Sequence, residues 1–240
     1  RVFYRQGHYM QQNHDFYSLG IAPKILEILD RMKFKAPTPI QHKAIPPAIA
    51  GTDIIGIAQT GTGKTLAFGI PLVQSLVKNK GKGLILVPTR ELARQVDDSI
   101  RVIAHAFGVK TTVLIGGAPM HSQIMALKKD PPVIVATPGR LIDHLEQRNI
   151  SLGGVKVLVL DEADRMLDMG FAPQIERILK VVPKDRQTML FSATMPQAIV
   201  KIAALHMKLP VHLEIAPSGT AAERVTQELF IVKKEAKNDL

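Results

Sequence analysis

The sequence predicts an α/β fold, a doubly wound, mostly parallel sheet with helices on both faces. Three features carry that expectation. Short apolar runs rich in β-branched residues recur along the chain. Most are apolar on both faces, as strands buried between two helical layers must be. Helical patterns separate them at the spacing of strand–helix–strand units.

Taken in order, residues 1–15 are polar and aromatic without periodicity and read as a tail or a cloning remnant. Residues 18–50 read as helices broken by "APTP" (36–39) and "IPP" (45–47). "DIIGIA" (53–58) then opens the sheet and leads into a helix over 64–77. "GLILVP" (83–88) precedes a helix over 90–106, "TTVLIG" (111–116) one over 119–128, and "PVIVAT" (132–137) one over 139–147. "VKVLVL" (155–160) is apolar apart from Lys156 and runs into Asp161, Glu162 and Asp164. A helix over 171–180, the strand "TMLFSA" (188–193), a helix over 196–206 and the strand "VHLEI" (211–215) complete the pattern. One domain is expected over 16–216. "APSGT" (216–220) signals a linker, and "VTQELFIV" (225–232) reads as a strand with nothing to pair with. Residues 217–240 are therefore expected to be an interdomain linker and the start of a second domain.

At 240 residues and 46% hydrophobic composition, the chain can build a sizeable core without disulfides or metals. Cysteine is absent, which excludes disulfide staples, cysteine-based zinc sites and thiol catalysis, and fits a reducing, cytoplasmic location. No apolar run approaches the ~18–20 residues of a membrane span, no secretory signal opens the chain, and the missing initiator Met suggests an excised piece. Against 21 acidic residues stand 31 Lys and Arg, a net +10 that suits either a polyanionic partner such as nucleic acid or a generic basic surface. The basic runs at 78–82 and 233–237 read as solvated loop and terminus.

The chemistry concentrates at strand ends. In "AQTGTGKT" (58–65) a Gly-rich turn follows a strand and opens a helix, the Walker A context in which backbone N–H groups and a helix N-terminus face phosphates. Ala58, Gln59, Thr60, Gly61, Thr62, Gly63, Lys64 and Thr65 are the candidate ATP-binding residues. Gly61 and Gly63 permit positive φ, Lys64 would reach the β and γ phosphates, and the Thr65 hydroxyl would ligate Mg2+. Ala58 stands where the general pattern has its first Gly, and a Gly-rich turn without a ligand is the competing reading. Asp161, ending a strand expected beside the phosphate loop, is placed to hold Mg2+, partly through water. Glu162 would point elsewhere and orient or deprotonate the attacking water. Helix capping could account for part of Asp164, but not for Asp161 next to Glu162.

"DEAD" (161–164), "AQTGTGKT", "PTRELA" (88–93), "GG" (116–117), "TPGR" (137–140) and "SAT" (192–194) occur in one order, and together the chain resembles the DEAD-box RNA helicase family. Each short motif alone is weak, but six in register are specific, and the resemblance runs from about residue 16 to the end. It implies the first RecA-like domain of an ATP-dependent, non-processive RNA helicase. "FKAPTPIQ" (34–41) resembles the family's adenine-recognition motif, which implies Gln41 as the reader of the adenine edge, Phe34 as a stacking surface and Phe16 as the isolated upstream aromatic. Phe16 and Phe34 as plain core residues is the alternative. Where the family usually has Gly before the aromatic, this chain has Lys33. The resemblance further implies Thr89, Arg90, Gly116, Gly117, Thr137 and Arg140 as contacts to the RNA backbone, low in sequence specificity. Arg90 and Arg140 as surface salt-bridge partners is the competing reading. Ser192 and Thr194 are implied to hydrogen-bond Asp164 and join Lys64, Asp161 and Glu162 in catalysis, although "SAT" could also be a helix N-cap. The helix over 139–147 is the implied wedge.

No "HRxGR"-type segment occurs in the sequence, so the arginine finger is expected from a second RecA-like domain outside this chain. The chain alone is expected to bind nucleotide with little turnover. A DNA-directed helicase and a non-enzymatic RNA clamp are the competing functions. A metal or redox protein is a third, but the eight His show no ligand spacing.

Overall fold

The computed structural model describes residues 15–215. The expected tail ahead of residue 15 and the expected linker and strand over 217–240 lie outside the described residues.

A 3-10 turn, Tyr17–Leu19, and helices α1 (Pro23–Arg31) and α2 (Pro39–Ile49) precede the sheet. Then strand and helix alternate: β1 (Ile54–Ile57), α3 (Lys64–Asn79), β2 (Lys82–Leu86), α4 (Arg90–His105), β3 (Thr111–Leu114), α5 (Met120–Leu127), β4 (Val133–Ala136) and α6 (Pro138–Glu146). After β5 (Val155–Leu160) come α7 (Ala163–Asp168) and α8 (Ala172–Val181), then β6 (Gln187–Ser192), α9 (Gln197–His206) and β7 (Val211–Glu214). All seven expected strands in the described residues are present. They form a single sheet in the order β3-β4-β2-β5-β6-β1-β7, and every pairing is parallel.

Consecutive residues of each central strand face opposite sides, which divides the core in two. Ile54, Ile85, Val133, Val157, Met189 and Phe191 pack under α1–α4 with Ile25, Ile40, Phe68 and Ile100. Ile55, Leu84, Ile134, Leu158 and Leu190 pack under α6–α9 with Leu141, Met166, Ile175 and Ile199. Each such side chain removed from water contributes about 1.5–3 kcal/mol, so the two-sided apolar strands are held by both layers at once.

Three features differ from the sequence reading. The "IPP" segment does not break a helix: α2 continues through Pro46 and Pro47 to Ile49. Both prolines fall near its C-terminal end, and Ile40, Ala44, Ile45 and Ala48 are buried against the core, so packing outweighs the two lost backbone bonds. The short helix α7 was not foreseen, because its six residues carry no readable periodicity. Finally, β5 is not the neighbour of β1, since β6 pairs with both of them. Two strand spacings, about 10 Å, therefore separate the Gly-rich loop from the strand that ends in Asp161.

The departure at Lys33 has a structural meaning. Lys33 N–H donates to Asp30 O at 2.9 Å and Phe34 N–H to Leu29 O at 3.0 Å, the paired bonds of a Schellman cap that closes α1. That cap puts Lys33 at φ 61°, in the left-handed region, where a residue with a Cβ is strained and Gly is not. Replacing Lys33 with Gly should stabilise the chain by about 0.5–1 kcal/mol, the relief of strain less the added freedom of the unfolded chain. Thermal melts should then rise by roughly 1–4 °C; an unchanged or lower Tm contradicts this account.

Candidate active site

In a parallel sheet all carboxyl ends lie along one rim, which is where open α/β sheets bind ligands. Residues 58–63 follow β1, 87–89 follow β2, 115–119 follow β3, Thr137 follows β4, 161–162 follow β5 and 193–196 follow β6. Every sheet motif singled out in the sequence therefore meets on this rim.

The loop after β1 has the shape of a phosphate cradle. Gly61 and Gly63 lie at φ 79° and 90°, and Gly63 is the N-cap of α3. Gln59, Thr60 and Gly61 are exposed, and Thr62 Oγ1 donates to Gln59 O at 2.8 Å. A Cβ on Gly63 would lie 2.5 Å from Gln41 Nε2, so only Gly fits there. Ala58 needs no positive φ, which explains why a non-Gly residue serves at that position. Its N–H donates to Ser192 O at 3.0 Å and fastens the loop to β6. Lys64, 6% exposed, donates from Nζ to Ala58 O at 3.2 Å and lies 3.9 Å from Asp161 Oδ1. Its long side chain thus reaches past the end of β6 to the end of β5. Thr65 follows in the first turn of α3, half-buried.

Gln41 is already engaged. Its Oε1 accepts from Thr38 N–H at 2.9 Å, the return half of a capping box on α2, and its Nε2 donates to Gly63 O at 3.1 Å. One N–H and one lone pair of the amide remain for a further partner. Phe34 is 38% exposed and offers a ring face, whereas Phe16, at 3%, is a core residue.

The three carboxylates occupy distinct environments. Burial pushes the Asp161 carboxyl up to about 6, against the Lys64 ammonium that favours its ionised form and with the repulsion of Glu162. Glu162 caps α7 at φ 51°, ψ 51°, a strained backbone for a non-Gly residue, and its Oε2 accepts from Arg165 Nη1 at 3.0 Å. Asp164 is not the helix cap. Its Oδ2 accepts from Ala193 N–H at 3.2 Å, Thr194 N–H at 2.9 Å and Thr194 Oγ1 at 2.9 Å, and Oδ1 accepts from Arg165 N–H at 3.0 Å. Ser192 Oγ accepts from the Asp164 backbone N–H at 3.2 Å, and its hydroxyl also favours the charged carboxylate. Burial raises the Asp164 pKa, but the Thr194 hydroxyl, the Arg165 and Thr194 N–H groups and Ser192 outweigh it, and the net shift is downward. "SAT" is not a helix cap either, since α9 begins at Gln197 after Pro196.

Along the rest of the rim, Arg90 lies against Gly116 and Gly117, where an added Cβ on Gly117 would collide with its guanidinium. Gly117 sits at φ 74°. No salt bridge binds Arg90 among the described residues, which leaves its charge available to an anion. Arg140 is tethered instead: Nη1 donates to Ala118 O at 3.0 Å and Nε lies 3.4 Å from Asp143. Thr89 caps α4, its hydroxyl accepting from Leu92 N–H at 3.2 Å, and Thr137 is buried at the start of α6. The sequence reading missed Arg165, Gln123 and His144, whose spacing matches no motif; only the fold brings them to the site.

Among the described residues no group of three or more His, Asp or Glu could hold a metal alone. The donors at the loop, a Thr hydroxyl and a carboxylate, suit a hard cation that keeps water and phosphate ligands.

Replacing Thr194 with Val should raise the Asp164 pKa towards the ordinary carboxylate range. A depressed folded pKa contributes stability that is present above the unfolded value and lost as pH falls through the folded one. The variant should therefore be about 1 kcal/mol less stable near neutral pH, with the deficit shrinking on acidification. Denaturant unfolding at several pH values reads this, and a deficit independent of pH contradicts it.

A sequence model described as DEAD/DEAH box helicase matches residues 38–202. Similar curated proteins include one named ATP-dependent rRNA helicase RRP3 from Yarrowia lipolytica, 46% identical over 220 residues, covering 90% of this chain and 46% of that protein. One of the same name from Mycosarcoma maydis is 47% identical over 221 residues, covering 91% of this chain and 39% of that protein. The chain thus spans about half or less of the length of these relatives. A crystal structure of a DEAD box protein from the hyperthermophile Methanococcus jannaschii superposes with TM-score 0.80 at 40% identity, covering 83% of this chain and 55% of that one. A structure titled as a hypothetical ATP-dependent RNA helicase from Sulfolobus tokodaii gives TM-score 0.75 at 37% identity, covering 80% and 56%. A family match over more than half of the sequence, on a seven-stranded sheet whose motifs share one rim, means that the chain belongs to the DEAD/DEAH box helicase family.

Proposed function

We propose that this chain is the nucleotide-binding and RNA-gripping half of an ATP-dependent RNA helicase. The observation that carries the reading is the placement of Lys64 Nζ 3.9 Å from Asp161 Oδ1 at the mouth of the loop 58–63, on the N-terminus of α3. Backbone N–H groups of residues 61–65 and the Lys64 ammonium bind the β and γ phosphates, and the positive end of α3 adds to them. Gln41 uses its remaining N–H and lone pair on the adenine edge while its other bonds tie it to the phosphate loop, and Phe34 stacks on the ring. Thr65 and Asp161 would hold the magnesium ion, partly through water, and the ion when bound neutralises phosphate charge. Glu162 exchanges its Arg165 partner for the attacking water and takes its proton.

Arg90, Gly116, Gly117, Thr137 and the α6 N-terminus hold the sugar–phosphate chain of a single strand, with little sequence preference. Asp164, bonded to Thr194 across β5 and β6, links nucleotide state to this grip. A second RecA-like domain closes over the rim, supplies an arginine finger worth about 10³–10⁵ in rate, and bends the strand against α6 so that its complement dissociates. The similarity to proteins named ATP-dependent rRNA helicase supports ATP and RNA as ligands and makes ribosomal RNA the first target to test.

Replacing Lys64 with Ala should weaken Mg-ATP binding by about 10–100-fold, the loss of a charge-assisted contact. Replacing Glu162 with Gln should leave binding within about threefold and, in the full-length protein, lower RNA-stimulated turnover by about 10²–10⁴. Titration with a fluorescent ATP analogue and a steady-state phosphate-release assay measure the two effects. Unchanged binding in K64A, or full turnover in E162Q, rejects the assignment. Stimulation by DNA equal to that by RNA rejects the RNA part alone. Residues 1–240 alone should bind ATP but turn over slowly.

A further inference from the structure

Gln123 is 5% exposed, yet every hydrogen-bonding capacity of its amide is used. Its Oε1 accepts from Ile115 N–H at 3.2 Å and faces His144 Nε2 at 3.2 Å. Its Nε2 donates to Ile115 O at 3.0 Å and to Ala118 O at 3.3 Å. Ile115 and Ala118 are the residues that bracket Gly116 and Gly117, so one side chain from α5 clamps both ends of the two-glycine turn. Ala118 O receives a second donor, Arg140 Nη1 at 3.0 Å, from the first turn of α6.

His144, also on α6, is completely buried. Because Gln123 Oε1 can only accept, the ring presents Nε2–H to it. Asn149 Nδ2 lies 3.3 Å from Nδ1 and donates there. That is the neutral tautomer with both nitrogens satisfied, consistent with a pKa lowered by burial and by Arg140, against the opposing charge of Asp143. No hydrogen bond from Gly116 or Gly117 N–H is made among the described residues, and these donors lie beside the Arg90 guanidinium. Two N–H groups without a partner beside a cation suit a phosphate.

We propose that Gln123, held by His144 and Asn149, is a positioning residue for RNA: it locks the Gly116–Gly117 turn to the α6 N-terminus so that both present their donors to one backbone at fixed separation. The inference rests on the RNA reading of the rim above. None of the clamp's residues contacts the nucleotide loop, so its loss acts on RNA and not on ATP.

The test compares wild type with Gln123→Leu, which keeps side-chain size but removes all four bonds, and Gln123→Glu, which keeps the acceptor half only. A short fluorescent oligouridylate is titrated in the presence of a Mg-ATP analogue, with nucleotide affinity and Tm measured alongside. Gln123→Leu is expected to weaken RNA binding by about tenfold at unchanged nucleotide affinity, with Gln123→Glu in between. Amide NMR should show increased motion at Gly116 and Gly117 in both variants. If Gln123→Leu fails to fold, Gln123→Glu carries the comparison. Wild-type RNA affinity in both Gln123 variants, while Arg90→Ala loses it, overturns this inference and leaves the RNA reading standing. Absence of RNA binding by wild type overturns both.

Discussion

The shared direction of the seven strands is the constraint on which the rest depends. A parallel sheet sends every carboxyl end to the same rim, and each crossover helix then starts from that rim with its unsatisfied N–H groups outward. Helices α3, α4 and α6 begin at Lys64, Arg90 and Pro138, directly after β1, β2 and β4. Loops far apart in sequence become neighbours: the turn after β6 lies beside the loop after β1, where Ala58 N–H donates to Ser192 O. The same arrangement turns the positive ends of three helix dipoles toward the rim, which suits a ligand that is itself a chain of phosphates.

The rim is assembled at a cost in stability. Asp161 is only 3% exposed, and burial opposes its charge strongly enough that the ion pair with Lys64 does not restore an ordinary pKa. Buried pairs of this kind seldom stabilise a fold on balance. Glu162 adds a left-handed backbone, a strain of order 1–3 kcal/mol. These costs sit at one place, whereas the two apolar layers on either side of the sheet carry none of them. Asp164 is the contrast: four donors hold its charge, and it acts as a strut between the end of β5 and the turn after β6.

A pattern of shared supports runs through the site. Gln41 closes the start of α2 and holds the carbonyl of Gly63 with the other end of the same amide. Gln123 does the equivalent for the two-glycine turn. In each case a buried amide, bonded through both its oxygen and its nitrogen, fixes a glycine loop whose own backbone is permissive. Loops that must approach a ligand closely are rich in glycine and cannot rigidify themselves, so rigidity comes from a neighbouring element.

The strands were legible because burial on both faces leaves an unbroken apolar run, and the phosphate loop because its Gly, Lys and Thr have few other uses in that order between strand and helix. By itself the sequence determined the α/β class, the seven strands within the described region, the carboxylates after β5 and the family. It did not determine that α2 passes through Pro46 and Pro47, that β6 lies between β1 and β5, that Arg140 is tethered to Ala118 while Arg90 makes no salt bridge, or that Gln123 and His144 stand behind the glycine turn. Local propensity and motif spacing act over a few residues, whereas these outcomes depend on which helix packs on which strand. Only the assembled sheet decides that, because apolar burial is non-directional and its partners are chosen by the whole chain.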